Sequence, residues 1–542
     1  MLLSRALLSL GLSLSVVGGG AAADTPFTVI SVKSLDEILK DARRVTGTPR
    51  GEKGSPLDTF LARFGGPTGL PGIDSTKPFG LCVTPRGGSD FAAQLLIPLK
   101  DHKAFLGLLG IPESVAQGSD GRIFAVQFFG TPLYARTSRG YCAISNRKSD
   151  VESSSSTSWL GAGSHDISLQ CNPGQLPLEL RRELAEKLMS RLDSANSQSM
   201  GIAGTMRSAR GQGLESALKN WHNIANGYRG NQLRRVLEDC EKFFVGVTLE
   251  AGNGLITFDH ETTARAGTQL AREYNSLAKL SPAFSGLLSN EAAVSISLSV
   301  PMPEEFLNLL RETLGQGYQL AQAEVDKSPV FSSVDARANA HDSLGALALA
   351  FEGLKELNFA FLLSTSTTGK PQVATAMKVA SGKELSRAFQ GWARFPPAAF
   401  EPGEFKLNVA QHSGVPIHRL TVPPTVGEPF GGTSIHMTVR GNSAFFALGS
   451  DSLAIVRTSL EKTATAATRR PPVSLRLIPS KLLGIFPGQS SREEKLLKAF
   501  RGSGDYITYE MLPAKDGTKG RLTLGEGVLR AITEGINGQQ TR

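Results

Sequence analysis

The chain repeats itself. Tyr134–Asp150 aligns without gaps to Ile435–Asp451, so that Arg139-Gly140 meets Arg440-Gly441, Ala143 meets Ala444 and Ser149-Asp150 meets Ser450-Asp451. Further along, Ile167-Ser-Leu-Gln-Cys-Asn-Pro173 matches Val473-Ser-Leu-Arg-Leu-Ile-Pro479, and upstream Phe79-Gly-Leu-Cys-Val83 matches Phe359-Ala-Phe-Leu-Leu363. Three matches in one order and at similar offsets point to a tandem duplication, which restricts the chain to a unit that folds twice. Length and composition permit this: 542 residues with 40% hydrophobic side chains can bury more than one core. The expected division is a leader over 1–23, a first repeat over 24–280 and a second over 281–542, with the boundary at Ser281-Pro282.

Local patterns give both halves the same elements. Thr28–Val32 and Val294–Val300 alternate as strands do, and helical stripes follow, Leu35, Ile38, Leu39, Ala42 in one half and Phe306, Leu307, Leu310, Leu314 in the other. Each half continues with a strand pair and a helix: Phe79–Val83, Ala92–Leu99 and Phe105–Leu109, then Phe359–Leu363, Val373–Val379 and Leu385–Phe389. Three further strands and a lone strand ending at Pro173 or Pro479 come next, and a hairpin with a helix closes each half. The fold class expected is α+β, two tandem repeats, each a mainly antiparallel sheet with helices packed against it. Ser/Gly-rich stretches at 152–164 and 194–213 read as insertions in the first repeat.

The N-terminus carries an address. Arg5, the uncharged apolar stretch Ala6–Val17 and Ala21-Ala22-Ala23 before Asp24 have the order of a secretory signal peptide, with cleavage expected after Ala23. No cysteine follows, which gives no support to a lipid anchor. The most apolar later stretch, Leu344–Leu363, is interrupted by Glu352, Lys355 and Glu356 and reads as a core helix followed by a strand, so no transmembrane span is expected. The mature chain is therefore expected in the periplasm or outside the cell. A formal charge of +9 over this length does not call for nucleic acid as a partner.

Searching for chemistry returns little. There is no Gly-x-Ser-x-Gly elbow, no His-Glu-x-x-His and no Cys-x-x-Cys, and Gly369-Lys370 runs into Pro371 where a phosphate loop needs Ser or Thr. No catalytic residue, metal ligand set or cofactor is expected. Strand parity places His418 with Leu420 and Val422 as a core histidine, and His436 with Thr438 and Arg440 on a polar side opposite Ile435, Met437 and Val439. His165-Asp166 and Asp259-His260 read as surface or cap residues, and Ser149-Asp150 and Ser450-Asp451 as helix caps. Arg139 and Arg440, each before a glycine, read either as a duplicated anion contact or as strand ends before tight turns. Cys82, Cys142, Cys171 and Cys240 all lie in the first repeat, where disulfides and buried free thiols are both open.

With Gly-Val-Pro-Ile-His-Arg-Leu (414–420) and Phe-Phe-Ala-Leu-Gly-Ser-Asp-Ser-Leu (445–453) in view, the chain resembles a diffuse set of uncharacterised exported bacterial proteins. That resemblance implies tandem α+β repeats, export and a strand-Gly-x-Asp-helix junction, and it brings no activity. Two function classes follow. One is a non-enzymatic envelope protein that binds a partner, polymer or apolar ligand through a sheet face or the repeat junction. The other is a hydrolase or transferase whose site converges from loops. The residues placed on a ligand-binding face are His436 and Arg440, with Arg139 as a fainter counterpart.

Overall fold

The computed structural model describes residues 26–46, 71–111, 121–190, 230–394, 404–465, 470–485 and 497–532, apart from short breaks at 88–89, 129–130, 153–156, 158, 161–162, 184, 188, 251, 329–330, 499 and 501–503. The leader at 1–23, the insertion at 194–213 and much of that at 152–164 lie outside the described residues. Helices and strands are mixed, and the nineteen strands are counted as one large antiparallel sheet, where a sheet in each half was expected. The chain divides into two compact units, Met1–Leu188 with Arg235–Ala271 and Lys519–Arg542, and Met189–Arg234 with Arg272–Thr518.

The first unit contains β1 (Thr28–Val32), β2 (Phe79–Gly87), β3 (Asp90–Pro98), β4 (Ile123–Phe128), β5 (Thr131–Ser138), β6 (Tyr141–Ser145), β7 (Ile167–Cys171), β8 (Cys240–Glu250) and β9 (Leu255–Ala264). Antiparallel pairing orders them β4-β5-β6-β3-β2-β1-β7-β8-β9. Its helices include α1 (Leu35–Thr46), α2 (His102–Leu108) and α3 (Lys148–Glu152). Asp101 starts α2 by accepting from the amides of Lys103 and Ala104, and the helix buries Phe105 and Leu106. Arg139 and Gly140 turn β5 into β6 at φ 51° and 76°, the left-handed geometry that suits the twist of a two-residue hairpin loop. Asp150 is not a cap: it lies inside α3, is buried, pairs with Arg86 at 2.5 Å and accepts from Ser145 Oγ at 3.0 Å.

After α4 (Gln269–Leu277), the second unit contains β10 (Val294–Pro301), α5 (Glu304–Lys327), α6 (Val334–Phe351), β11 (Glu356–Thr365), β12 (Pro371–Lys378), α7 (Gly382–Arg394), β13 (Phe405–His412), β14 (Val415–Thr421), β15 (Ser434–Arg440), β16 (Ser443–Leu448), α8 (Ser452–Thr465), β17 (Val473–Leu477), α9 (Pro479–Ile485) and β18 (Ile507–Ala514). The order is β18-β17-β10-β11-β12-β16-β15-β14-β13. Four strands, not the expected three, stand between α7 and β17. The last strand, β19 (Gly517–Leu524), pairs with β9.

Two cores flank this part of the sheet. On one face, the small side chains Ala360, Ala376 and Ala447 let Val456 and Leu460 of α8, with Phe284 and Leu287, approach the strands closely. On the other, Leu385 and Phe389 of α7 pack with Phe405, Leu420 and Met437. The outer strand β13 pairs with β14 alone among the described strands, and its register breaks between Lys406 and Ala410. Within that bulge Asn408 has φ 54°, and its amide donates to Nδ1 of the buried His418 at 3.1 Å.

Candidate functional site

β10 reads Val-Ser-Ile-Ser-Leu-Ser-Val, and a strand sends such alternating side chains to opposite faces. The serine face is the closed one. Ser295, Ser297 and Ser299 are 3%, 2% and 0% exposed, whereas Val294, Ile296, Leu298 and Val300 are only half-buried. Short side chains let the segment 281–289 lie against the strand, and polar groups fasten it there. Asn358 Nδ2 donates to Ser281 O at 3.0 Å and to Ser299 Oγ at 3.3 Å; Ala283 N donates to Asn358 Oδ1, and Ser289 N to Ser295 Oγ.

Register carries the aliphatic side across its neighbours. Ile296 pairs with Phe361 on β11 and Leu475 on β17, Leu298 with Phe359 and Val473, and Leu475 and Val473 with Tyr509 and Met511 on β18. All of these are half-buried. Ile485 and Leu482 of α9 cover one end of the row, around Leu363 and Val294. α7 covers the far strands, around Met377 and Phe446. Where β10 leads into α5 and α6 leads towards β11, a crevice of about 190 Å³ runs between the two helices, lined mainly by Leu307, Leu310, Leu314, Tyr318, Phe351 and Leu354. Leu320 and Leu349 on the same helix pair are exposed. The arrangement offers mainly apolar surface, with Arg311 and Glu352 as the charged residues at the crevice.

The residues that parity placed on a ligand face are otherwise engaged. His436 Nδ1 lies 2.8 Å from Ser452 Oγ, which donates to Ser434 O at 3.2 Å. Burial, and then the charges of Arg419 and Arg457, push the His436 pKa down. Arg440 donates to Leu460 O at 2.8 Å and to Thr463 Oγ1 at 2.7 Å. Thr438 between them is 0% exposed, so this side of β15 lies under α8 and is not a solvated face. Arg139 belongs to the other unit. It occupies the turn itself and is exposed, whereas Arg440 is the last paired residue of its strand, opposite Ser443. The two arginines therefore do not hold equivalent places.

His165, read as a surface residue, leans over Gly246, where a Cβ would sit 1.9 Å from its ring. Its Nδ1 is 3.1 Å from Thr248 Oγ1, and its Nε2 4.0 Å from Asp259 Oδ2. A hydroxyl, an imidazole and a carboxylate thus stand in sequence, but Arg521 holds both oxygens of Asp259, at 2.6 and 3.0 Å, and commits that carboxylate to an ion pair. Asp166 is buried and accepts from the Leu249 amide at 2.7 Å. These contacts tie β9, β19 and the approach to β7 together. Sequence reasoning missed them because the partners are 83 and more positions apart.

All four cysteines are free; Cys82, Cys142 and Cys240 are buried and Cys171 half-buried. Burial raises every thiol pKa, that of Cys142 and of Cys240 to about 12. Among the described residues no group of three or more His, Cys, Asp or Glu could hold a metal ion, and no helix is long and apolar enough to cross a membrane. Comparison with protein-family models, with curated proteins and with solved structures finds no match for this chain.

Proposed function

We propose that this chain is an exported, non-enzymatic binding protein built from two copies of one α+β unit, and that its second unit holds an elongated apolar ligand against the aliphatic side of β17, β10 and β11. One observation carries the reading: β10 buries its serine side and leaves its aliphatic side only half-buried. Burying apolar surface is worth roughly 25 cal/mol per Å². A strand that forgoes that gain on its aliphatic side keeps the surface for something that arrives later. The crevice between α5 and α6 extends the same apolar character beyond the strands.

The ladders support the duplication. Stepping across paired residues from Leu81 gives Ile30, Leu169 and Val245; the same steps from Phe361 give Ile296, Leu475 and Tyr509. Leu169 and Leu475 are also partners in the sequence alignment, which is an independent agreement. In the other direction Leu81 leads through Leu95 and Ile144 to Ala135, and Phe361 through Thr375 and Phe446 to Met437. That path sets Arg139 against Gly441, one residue off the ungapped alignment of 134–150 with 435–451. A slip of one residue exchanges the two faces of a strand.

Titration with a fluorescent long-chain fatty acid tests the ligand. Saturable binding is expected, weakened about tenfold or more in Leu298→Glu, because a carboxylate on this surface loses its solvation when the ligand covers it. Absence of saturable binding, or an unchanged affinity in a folded Leu298→Glu variant, overturns the reading.

A further inference from the structure

We infer that the hollow beside the β5–β6 turn of the first unit binds a small phosphomonoester. The hollow has a volume of about 330 Å³ and lies between the end of β3, the start of α2 and the turn. Lys100, His102 and Arg139 line it, together with Ser138 and Tyr141. None of the three basic side chains has a hydrogen-bond or ion-pair partner among the described residues.

The acidic groups nearby are occupied. Asp101 Oδ1 accepts from Lys103 N at 2.9 Å and Ala104 N at 3.2 Å, and Asp74 pairs with Lys77 at 2.9 Å. The hollow is therefore lined by two cationic side chains, Lys100 and Arg139, that no carboxylate pairs with among the described residues. A phosphomonoester supplies what is missing: nearly two negative charges and three acceptor oxygens. A guanidinium can grip two of those oxygens as a fork, and the lysine acts as a point charge. The volume falls at the low end of small-molecule sites, roughly 300 Å³ and upward, which fits a phosphate carrying a small organic group.

Arg139 supports the inference through its backbone. It stands at φ 51° in a two-residue turn, where asparagine or glycine is favoured and a side chain with a Cβ is strained. Among the described residues nothing uses its guanidinium in return. Arg440, by contrast, takes a regular strand position and spends its guanidinium on α8. This inference concerns the first unit and stands apart from the apolar face of the second.

Calorimetric titration of the full chain with glycerol 3-phosphate, and in parallel with phosphatidylcholine vesicles containing phosphatidic acid, separates a soluble source of the phosphomonoester from a lipid-borne one. Saturable binding to at least one is expected. Arg139→Gly should weaken it by about tenfold, the size of one charge-assisted contact, while the melting curve stays unchanged or rises because glycine accepts positive φ. Lys100→Gln, which leaves the turn backbone alone, should show a loss of similar size. Absence of saturable binding to both probes, or unchanged affinity in both variants, overturns the site.

Discussion

Arg440 fastens β15 to α8: one guanidinium nitrogen donates to Leu460 O and the other to Thr463 Oγ1, whose own hydroxyl bonds carbonyls one turn back in the helix. Truncation should be costly for that reason: Arg440→Ala is expected to lower stability by about 1–3 kcal/mol in urea unfolding, with Arg440→Lys recovering only part. His418 makes a different kind of contact, as an acceptor, and only the neutral ring can accept. Burial disfavours its charged form and lowers its pKa in the folded protein, so the unfolded chain takes up the proton first. Stability from this group is therefore complete above the ordinary histidine value of about 6.5 and is lost as pH falls through the lower folded value. His436 acts in the same direction. Urea midpoints measured from pH 8 to 5 should fall on the acid side, and His418→Gln, whose amide oxygen can still accept from Asn408, should flatten the curve. Of these side chains, His418 was legible from strand parity alone. His436 and Arg440 were not, because parity states which residues share a face and is silent about which helix lies on it.

Elements were the most legible level, and β10 shows both the reach and the limit of pattern. Alternation identified the strand without ambiguity, and polarity would assign its aliphatic side to the core. The closed side is the serine side instead, because small residues allow the segment 281–289 to pack closely and hydrogen-bond there. A test follows from that difference in room. Ser297→Leu should overpack the closed side and destabilise by roughly 1–3 kcal/mol, whereas Ile296→Thr on the open side should cost less than about 1 kcal/mol. Chemical denaturation of the two variants distinguishes them, and equal costs would mean that the two faces are equally packed. Strand β13 had no counterpart in the repeat pattern, and its bulge is set by Asn408 and a histidine ten residues away, a contact no local window contains.

At the scale of the whole chain, the leader and the cysteines bear on where the molecule works. Export with cleavage after Ala23 predicts a mature chain that begins at Asp24, which N-terminal sequencing of the secreted protein checks. Three thiols are buried, so native protein should react with a bulky thiol reagent at Cys171 first and slowly, and at all four once unfolded. Open sheets of this kind also end in strands with one unpaired side, and an unpaired side can recruit another strand from a second molecule. On β13 the left-handed Asn408 bends the strand out of register, with an exposed Lys406 beside it, and a bent strand is a poor template. The His418 ring that accepts from Asn408 is thereby a guard against polymerisation as well as a filler of the core. Acid should disarm it, so light scattering of concentrated protein is expected to rise near the pH at which His418 takes its proton, and to rise at neutral pH in His418→Phe, which cannot accept at all.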